Sequence, residues 1–249
     1  MHELRYEWRN QDGTVVADSQ LFRPGTLLPG RYTFTVTVFD GRGAQASDSL
    51  VLTVTPSEEI YFHSDFFEPG LHGAWQRQQD STAADGWLAR HPDAGAPKLS
   101  QPLANPMHYI ETDFPADPTQ AYKLWLRLKA DNNFWGNDSV FVQFEGATDN
   151  NGNPLFPIGT TSAMVVNLEE CSGCGISGWG WEDDGWGAKD RTSLTVLRFP
   201  KGNGRMRIQT REDGVAIDQV VLSSRKYLIT RPGTAKNDIT VLLPTVWKY

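Results

Sequence analysis

Cysteine is scarce in this chain of 249 residues: there are two, Cys171 and Cys174, three positions apart. That count weighs against a zinc site, which needs about four ligands, because the five histidines are scattered without paired spacing. No apolar run reaches the ~20 residues that would span a bilayer. Helix signals are nearly absent. Positive charge is in deficit: 23 Lys and Arg against 30 Asp and Glu leave a net charge of −7. Such a balance argues against nucleic acid and anionic membrane surfaces as partners. The opening Met1-His-Glu-Leu-Arg5 carries no signal-peptide pattern. The expectation is a start that was added or a mature chain that was trimmed.

What remains is rich in glycine, threonine, valine and turn residues, which favours an all-β chain. The length suits one large domain or two ordinary ones. In Tyr32-Thr-Phe-Thr-Val-Thr-Val-Phe39, Tyr32, Phe34, Val36 and Val38 share one face, because side chains in strands have period two. Asp40-Gly-Arg-Gly43 turns the chain, and Asp48-Ser-Leu-Val-Leu-Thr-Val54 returns. Together with Tyr6-Glu-Trp8 and Pro29-Gly30, these segments resemble a polycystic-kidney-disease (PKD) type immunoglobulin-like domain over residues 1–56. The family's strands before the Tyr-x-Trp strand have no counterpart here, so the resemblance implies a β-sandwich incomplete at its first edge.

A polar linker, Thr55-Pro-Ser-Glu-Glu59, leads into a second β domain over residues 57–224. Tyr122-Lys-Leu-Trp-Leu-Arg-Leu-Lys129 alternates, with Tyr122, Leu124, Leu126 and Leu128 inward. Val140, Val142 and Phe144 form a second such face, and Met206 and Ile208 a third. Glu212-Asp-Gly214 is a hairpin turn, and Val215–Leu222 returns. Strands separated by long polar loops suggest a jelly-roll sandwich. Tyr122–Arg127, Asn137–Val142, Arg211–Leu222 and Asp80–Gly86 resemble the jelly-roll carbohydrate-binding modules that carry a structural calcium, and the related malectin-like domains. The resemblance implies a calcium that joins the first strand to the last, with Asp218, Asp65 and Glu68 as ligands. For Asp218, a plain hydrogen bond to a neighbouring loop is the other open reading.

The densest functional signal is Cys171-Ser-Gly-Cys174-Gly-Ile-Ser-Gly-Trp179-Gly-Trp181-Glu-Asp-Asp-Gly-Trp186-Gly. Glycine makes this a poor helix and a poor regular strand. Loops sit at surfaces and carry binding residues. Trp179, Trp181 and Trp186 are therefore the first candidates for aromatic platforms under a sugar; the competing reading folds them inward to cap the sandwich. Trp135 is the second platform, with Asn132, Asn133, Asn137 and Asp138 as polar partners that fix hydroxyls. For Cys171 and Cys174, a loop-stapling disulfide ranks first, free thiols second, and metal or redox chemistry third. A disulfide implies an oxidising, extracytoplasmic setting.

Catalysis has thin support. Glu169, Glu170, Glu182, Asp183 and Asp184 could supply the two carboxylates of a glycosidase, yet clustered loop acids are usually solvated or bind metal. No Ser-His-Asp arrangement is legible. The expectation is thus a non-catalytic polysaccharide-binding module, secreted or at the cell surface. The alternative is a structural surface or filament protein that self-associates by strand exchange. The tail, residues 225–249, carries a β-rich run at 237–247. It is expected to form a strand that pairs with an exposed sheet edge, foremost that of the immunoglobulin-like domain.

Overall fold

The computed structural model describes residues 4–25, 27, 30–54, 58–183 and 195–242. It divides into two compact units, residues 1–56 and 57–249, and both are all-β.

The first unit is one antiparallel sheet in the order β2-β1-β3-β4. Its strands are β1 (Arg5–Arg9), β2 (Val15–Ala17), β3 (Gly30–Phe39) and β4 (Gln45–Val54). The period-two pattern sorts the faces as the sequence predicts. Tyr6, Trp8, Tyr32, Phe34, Val36, Leu50 and Leu52 fall on one side through the pairs Trp8↔Val36, Phe34↔Leu50 and Tyr32↔Leu52. Phe22 closes over this face, 5.2 Å from the Trp8 ring and 4.9 Å from Phe34. The other face is a hydroxyl ladder, with Thr35–Ser49 at 2.8 Å and Thr37–Ser47 at 2.9 Å.

The second unit begins with β5 (Glu59–His63), one helical turn α1 (Ser64–Phe67) and β6 (Leu71–His72). There follow β7 (Gln76–Gln79), β8 (Trp87–Arg90), β9 (Tyr109–Pro115), β10 (Lys123–Ala130) and β11 (Ser139–Glu145). The last are β12 (Met164–Asn167), β13 (Gly180–Glu182), β14 (Asn203–Thr210) and β15 (Val215–Ser223). They make two sheets, β13-β10-β15-β8-β7 with β5 also on β15, and β12-β11-β14-β9-β6. Strands β5 and β8 share one side of β15 end to end, pairing Gln219–Ser223 and Ala216–Ile217 respectively. The inner faces meet in a single core that includes Tyr122, Leu124, Leu126, Leu128, Val140, Val142, Phe144, Met206 and Ile208. This is a β-sandwich.

A bulge in β15 shapes the outer face. The ladder with β10 slips between Arg127↔Gln219 and Leu128↔Ile217, leaving Asp218 as the extra residue. Val215 and Ile217 point into the core before it, and Val220 and Leu222 after it. Asp218 and Gln219 therefore both serve the outer face, which a third layer covers. The tail forms no strand among residues 225–242. Instead Tyr227 and Leu242 pack on Trp125, Trp181 and Val221. Gln219 exchanges two hydrogen bonds with the Leu242 backbone, at 2.6 and 3.0 Å. Arg127 Nε and Nη2 reach Asp238 Oδ1 and O at 3.0 and 2.8 Å. So the described tail belongs to the second unit and lies on its sheet face. Residues 243–249 lie outside the described residues.

Candidate ligand-binding site

Loops gather at one end of the sandwich around an open cleft of about 590 Å³, within the range of ligand pockets. The β10–β11 loop brings Trp135 and Asp138, and the long β8–β9 connection brings Lys98. Asn167 ends β12, Glu169, Ser172 and Gly173 follow it, and Arg211 follows β14. Trp135 is 61% exposed and Phe134 beside it 48%.

The floor is an ionisable cluster. Asp138 Oδ2 accepts from Asn167 Nδ2 at 3.1 Å and from Glu169 N at 2.8 Å. Glu212 Oε2 accepts from Asp138 N at 3.2 Å and from Ser139 Oγ. Burial first, and then the bond to Glu212, push Asp138 up to about 8. Burial opposes the charge on Glu212 too, but bonds from Asp138, Lys98 and Ser139 hold its carboxyl below the ordinary range. These shifts favour the proton on Asp138 and the charge on Glu212, whose carboxylate faces the Lys98 ammonium. Arg211 Nη1 donates to Ser139 Oγ and to Asn167 Oδ1, while its buried Nε has no partner among the described residues.

The sequence-derived site residues fall into three groups. Trp135 and Asp138 line the cleft. Asn133 and Asn137 brace it: Asn133 Oδ1 accepts from Gly178 N at 3.0 Å, and buried Asn137 donates to Asp93 at 3.1 Å. Trp179 and Trp181 are not exposed platforms; they are 3% and 0% exposed. The Trp179 indole donates to Thr82 Oγ1 at 2.9 Å and takes the Arg127 guanidinium over its ring at 4.9 Å. Trp181 sits under the tail, its backbone N donating to Thr234 O at 3.0 Å. Their acidic neighbours are neither solvated nor paired with each other: Glu182 meets Arg231 at 2.9 Å and Asp183 meets Lys123 at 2.7 Å. Trp186 and Asp184 lie outside the described residues. Cys171 and Cys174 are disulfide-bonded, and the ring they close holds Ser172 and Gly173 against the cleft.

Asp65, Glu68 and Asp218 do not form a cluster of three carboxylates among the described residues. No group of three or more His, Cys, Asp or Glu able to hold a metal occurs among the described residues. Asp218 Oδ2 takes Arg127 and the Ala84 N–H at 2.7 Å. A guanidinium in that place repels a divalent cation, although Asp218 Oδ1 is buried without a hydrogen-bond partner among the described residues. Glu68 pairs with Arg77 at 2.7 Å, and Asp65 is exposed. Burial pushes Asp218 up to about 7 against the pull of Arg127.

Sequence reasoning missed Lys98, Glu169 as a cleft wall, Arg211 and Glu212. Glu212-Asp-Gly214 read as a hairpin turn, and its Gly214 does adopt φ 73°. The carboxylate two residues earlier, aimed at a loop 74 positions away, leaves no local signal.

No protein-family model matches the chain, and no curated protein matches it. Solved structures resemble its sandwich distantly. The Podospora anserina GH26-CBM35 beta-(1,4)-mannanase is 15% identical over 68% of this chain and 28% of that one, with a TM-score of 0.35. The family 35 carbohydrate binding module from Clostridium thermocellum is 14% identical over 66% of this chain and 98% of the module, at 0.32. Arthrobacter globiformis isomalto-dextranase complexed with panose is 9% identical over 89% of this chain and 32% of the enzyme, at 0.33. The chain thus spans less than a third of both enzymes. The likeness is to carbohydrate-binding-module sandwiches, and at these scores it carries no argument about function.

Proposed function

We propose that the second unit binds a carbohydrate without catalysis, in the loop-end cleft, as a module that works outside the cytoplasm. The observation that carries this reading is Trp135, standing 61% exposed at a polar cleft. An indole face offers apolar area to sugar C–H groups at low entropic cost, and Lys98, Glu169, Ser172 and Arg211 are placed for hydroxyls. The disulfide supports an oxidising compartment.

A glycan array followed by calorimetry tests the proposal. Trp135→Ala keeps the fold, because the side chain is exposed, and weakens the glycan found by ~1–3 kcal/mol. Array-wide silence, or full affinity in the variant, would overturn it.

One observation favours the second reading, self-assembly by strand addition. The ten residues of β4 pair with β3 in unbroken register and form a sheet edge. Asp48 is the only charge along that edge, which has no proline, where protected edges usually carry several such devices. Concentration-dependent sedimentation tests this reading, and a strict monomer at high concentration rejects it.

A further inference from the structure

We propose that His91 and His108 form a pH-operated clasp at the two ends of the long β8–β9 connection, closed while both imidazoles are neutral and opened by acid, so that proton uptake loosens the segment that carries Lys98 to the cleft. The inference does not depend on what the cleft binds.

The connection runs from residue 91 to residue 108 and holds no helix or strand, an uncommon length for an irregular segment inside a compact domain. It leaves β8 in the six-stranded sheet and enters β9 in the five-stranded one. His91 is its first residue and His108 its last. Their rings meet edge to face, with centroids 5.0 Å apart and planes at 79°. Trp75 backs the pair: its ring lies 5.7 Å from that of His91, and its indole donates to Thr210 Oγ1 at 2.9 Å. His91 is 5% exposed, whereas His108 is half-buried.

Hydrogen bonds fix the tautomers. His91 Nδ1 stands 3.1 Å from Pro92 O. A carbonyl only accepts, so Nδ1 carries the proton and Nε2 a bare lone pair. That Nε2 is buried and has no hydrogen-bond partner among the described residues. His108 is the opposite case. Its Nδ1 accepts from Ala74 N at 2.9 Å, so the proton of its neutral ring is on Nε2. The backbone beside it is close: a Cβ on Gly73 would lie 2.4 Å from His108 Nδ1. A proton added to His91 would enter a dry position with no acceptor. One added to His108 would face the Ala74 N–H and break that bond. Adding both would set two cations side by side.

The surrounding charges do little to rescue an imidazolium. Arg90, the last residue of β8, disfavours a second cation and is itself paired with Asp131 at 3.1 Å. Asp213, in the β14–β15 turn, attracts one, but its Oδ2 is occupied by Ala94 N and Ala96 N at 2.8 Å each. His72 on β6 turns to Tyr109, ring to ring at 4.2 Å. Burial first, and then His108, hold the His91 imidazole below its ordinary range, against the pull of Pro92 O and Asp213. Between the histidines, Leu99 N donates to Arg211 O at 2.9 Å and Lys98 meets Glu212. The sign follows from linkage. In an opened segment the imidazole titrates near 6.5, so the closed state binds fewer protons, and its advantage is full above pH ~6.5 and lost as pH falls below that value.

Hydrogen-exchange mass spectrometry of the whole chain between pH ~7.5 and ~5, corrected for intrinsic exchange rates, reads the clasp. Protection of amides in residues 91–108 should fall about tenfold per pH unit below ~6.5 for each imidazole that takes up a proton, while β10 and β11 stay protected. His63, also held low by burial, lies on β5, where its own titration would show. His91→Phe keeps a ring against Trp75, and His108→Asn keeps an acceptor for Ala74 N. Each should reduce the pH dependence of residues 91–108, and the double variant should remove it. Nitrogen-15 NMR of the wild-type imidazoles needs no substitution, and so decides even if the variants misfold. It should find His91 protonated on Nδ1 and His108 on Nε2 at pH ~7.5, both becoming imidazolium as protection is lost. Constant protection of residues 91–108 down to pH ~5, a loss shared equally by the core strands, a pH dependence that survives in the folded double variant, or imidazoles that stay neutral while protection falls would each overturn the clasp.

Discussion

Asp138→Asn should change how the stability of the second unit depends on pH while leaving its fold intact. The Asp138 carboxyl is buried and accepts from Asn167 Nδ2 and Glu169 N on one oxygen, while its own backbone N donates to Glu212 Oε2. With a proton on it, the group has the shape and bonding of an amide. An asparagine can accept from Asn167 and Glu169 through its oxygen and donate to Glu212 through its nitrogen. The sign follows from linkage. In the unfolded chain an aspartate titrates near 3.9; in the fold Asp138 titrates near 8. Between those values the native state holds one proton more than the unfolded state, so this group's contribution is full below pH ~4 and is lost as pH rises towards 8. The slope is about −1.4 kcal/mol per pH unit for each such proton. Asp218, raised to about 7, adds a second slope of the same sign up to pH ~7. Lys98, Arg211 and Glu169 face the pair and are common to both proteins, so they cancel in the comparison. Urea unfolding from pH 5 to pH 8 measures the effect. Near pH 5 the two proteins should agree within ~1 kcal/mol, and the variant's slope should be shallower by about 1.4 kcal/mol per unit, making it the more stable protein at pH 8. An unchanged slope, or a variant several kcal/mol weaker at pH 5, would refute the protonated pair.

Trp179→Ala should act on stability and not on glycan affinity: it empties a buried site between Arg127 and Thr82, at a cost of ~3–5 kcal/mol in urea unfolding. Lost binding with unchanged stability would return Trp179 to the recognition surface. Melting temperatures in calcium and in chelator should be equal, because Arg127 fills the place beside Asp218 that a cation would need. A higher melting temperature in calcium, which mass action on the native state would produce, would show that Asp218 exchanges Arg127 for the metal.

The strands were legible because their alternation is local. Tyr122, Leu124, Leu126 and Leu128 point into the core as their period predicts. The same rule fails within β15, where one extra residue at Asp218 reverses the parity, and nothing in Val215–Leu222 marks the bulge. Trp135 was legible as a loop aromatic among asparagines and glycine. Its exposure was not, since an aromatic between two strands can equally cap the core. Trp179 and Trp181 misled for a related reason. A glycine-rich, acidic surround reads as a surface loop, yet Gly180–Glu182 is a buried strand paired with β10. The groups that bury it, Thr234, Asp238, Thr240 and Leu242, arrive from about 60 residues further along a tail that looked like a spare strand.

That tail explains how one chain uses tryptophan in two ways. An indole can be buried only if its N–H finds an acceptor. Trp125 donates to Tyr227 O at 2.7 Å, Trp179 to Thr82 Oγ1 at 2.9 Å and Trp181 to Thr240 O at 3.4 Å. Two of these three acceptors lie in the tail, which also carries Asp238 to the Arg127 guanidinium. The outer face of the six-stranded sheet is thereby closed: Lys123, Arg127 and Asp218 are buried there with their countercharges, and a buried charge stripped of its partner costs several kcal/mol. A sugar could reach that face only by displacing the tail and exposing those ion pairs. At the loop end, by contrast, Phe134 and Trp135 stand exposed. On the carbohydrate reading, the outer face of the six-stranded sheet is thus not the place for a sugar: it has been spent on holding the fold together.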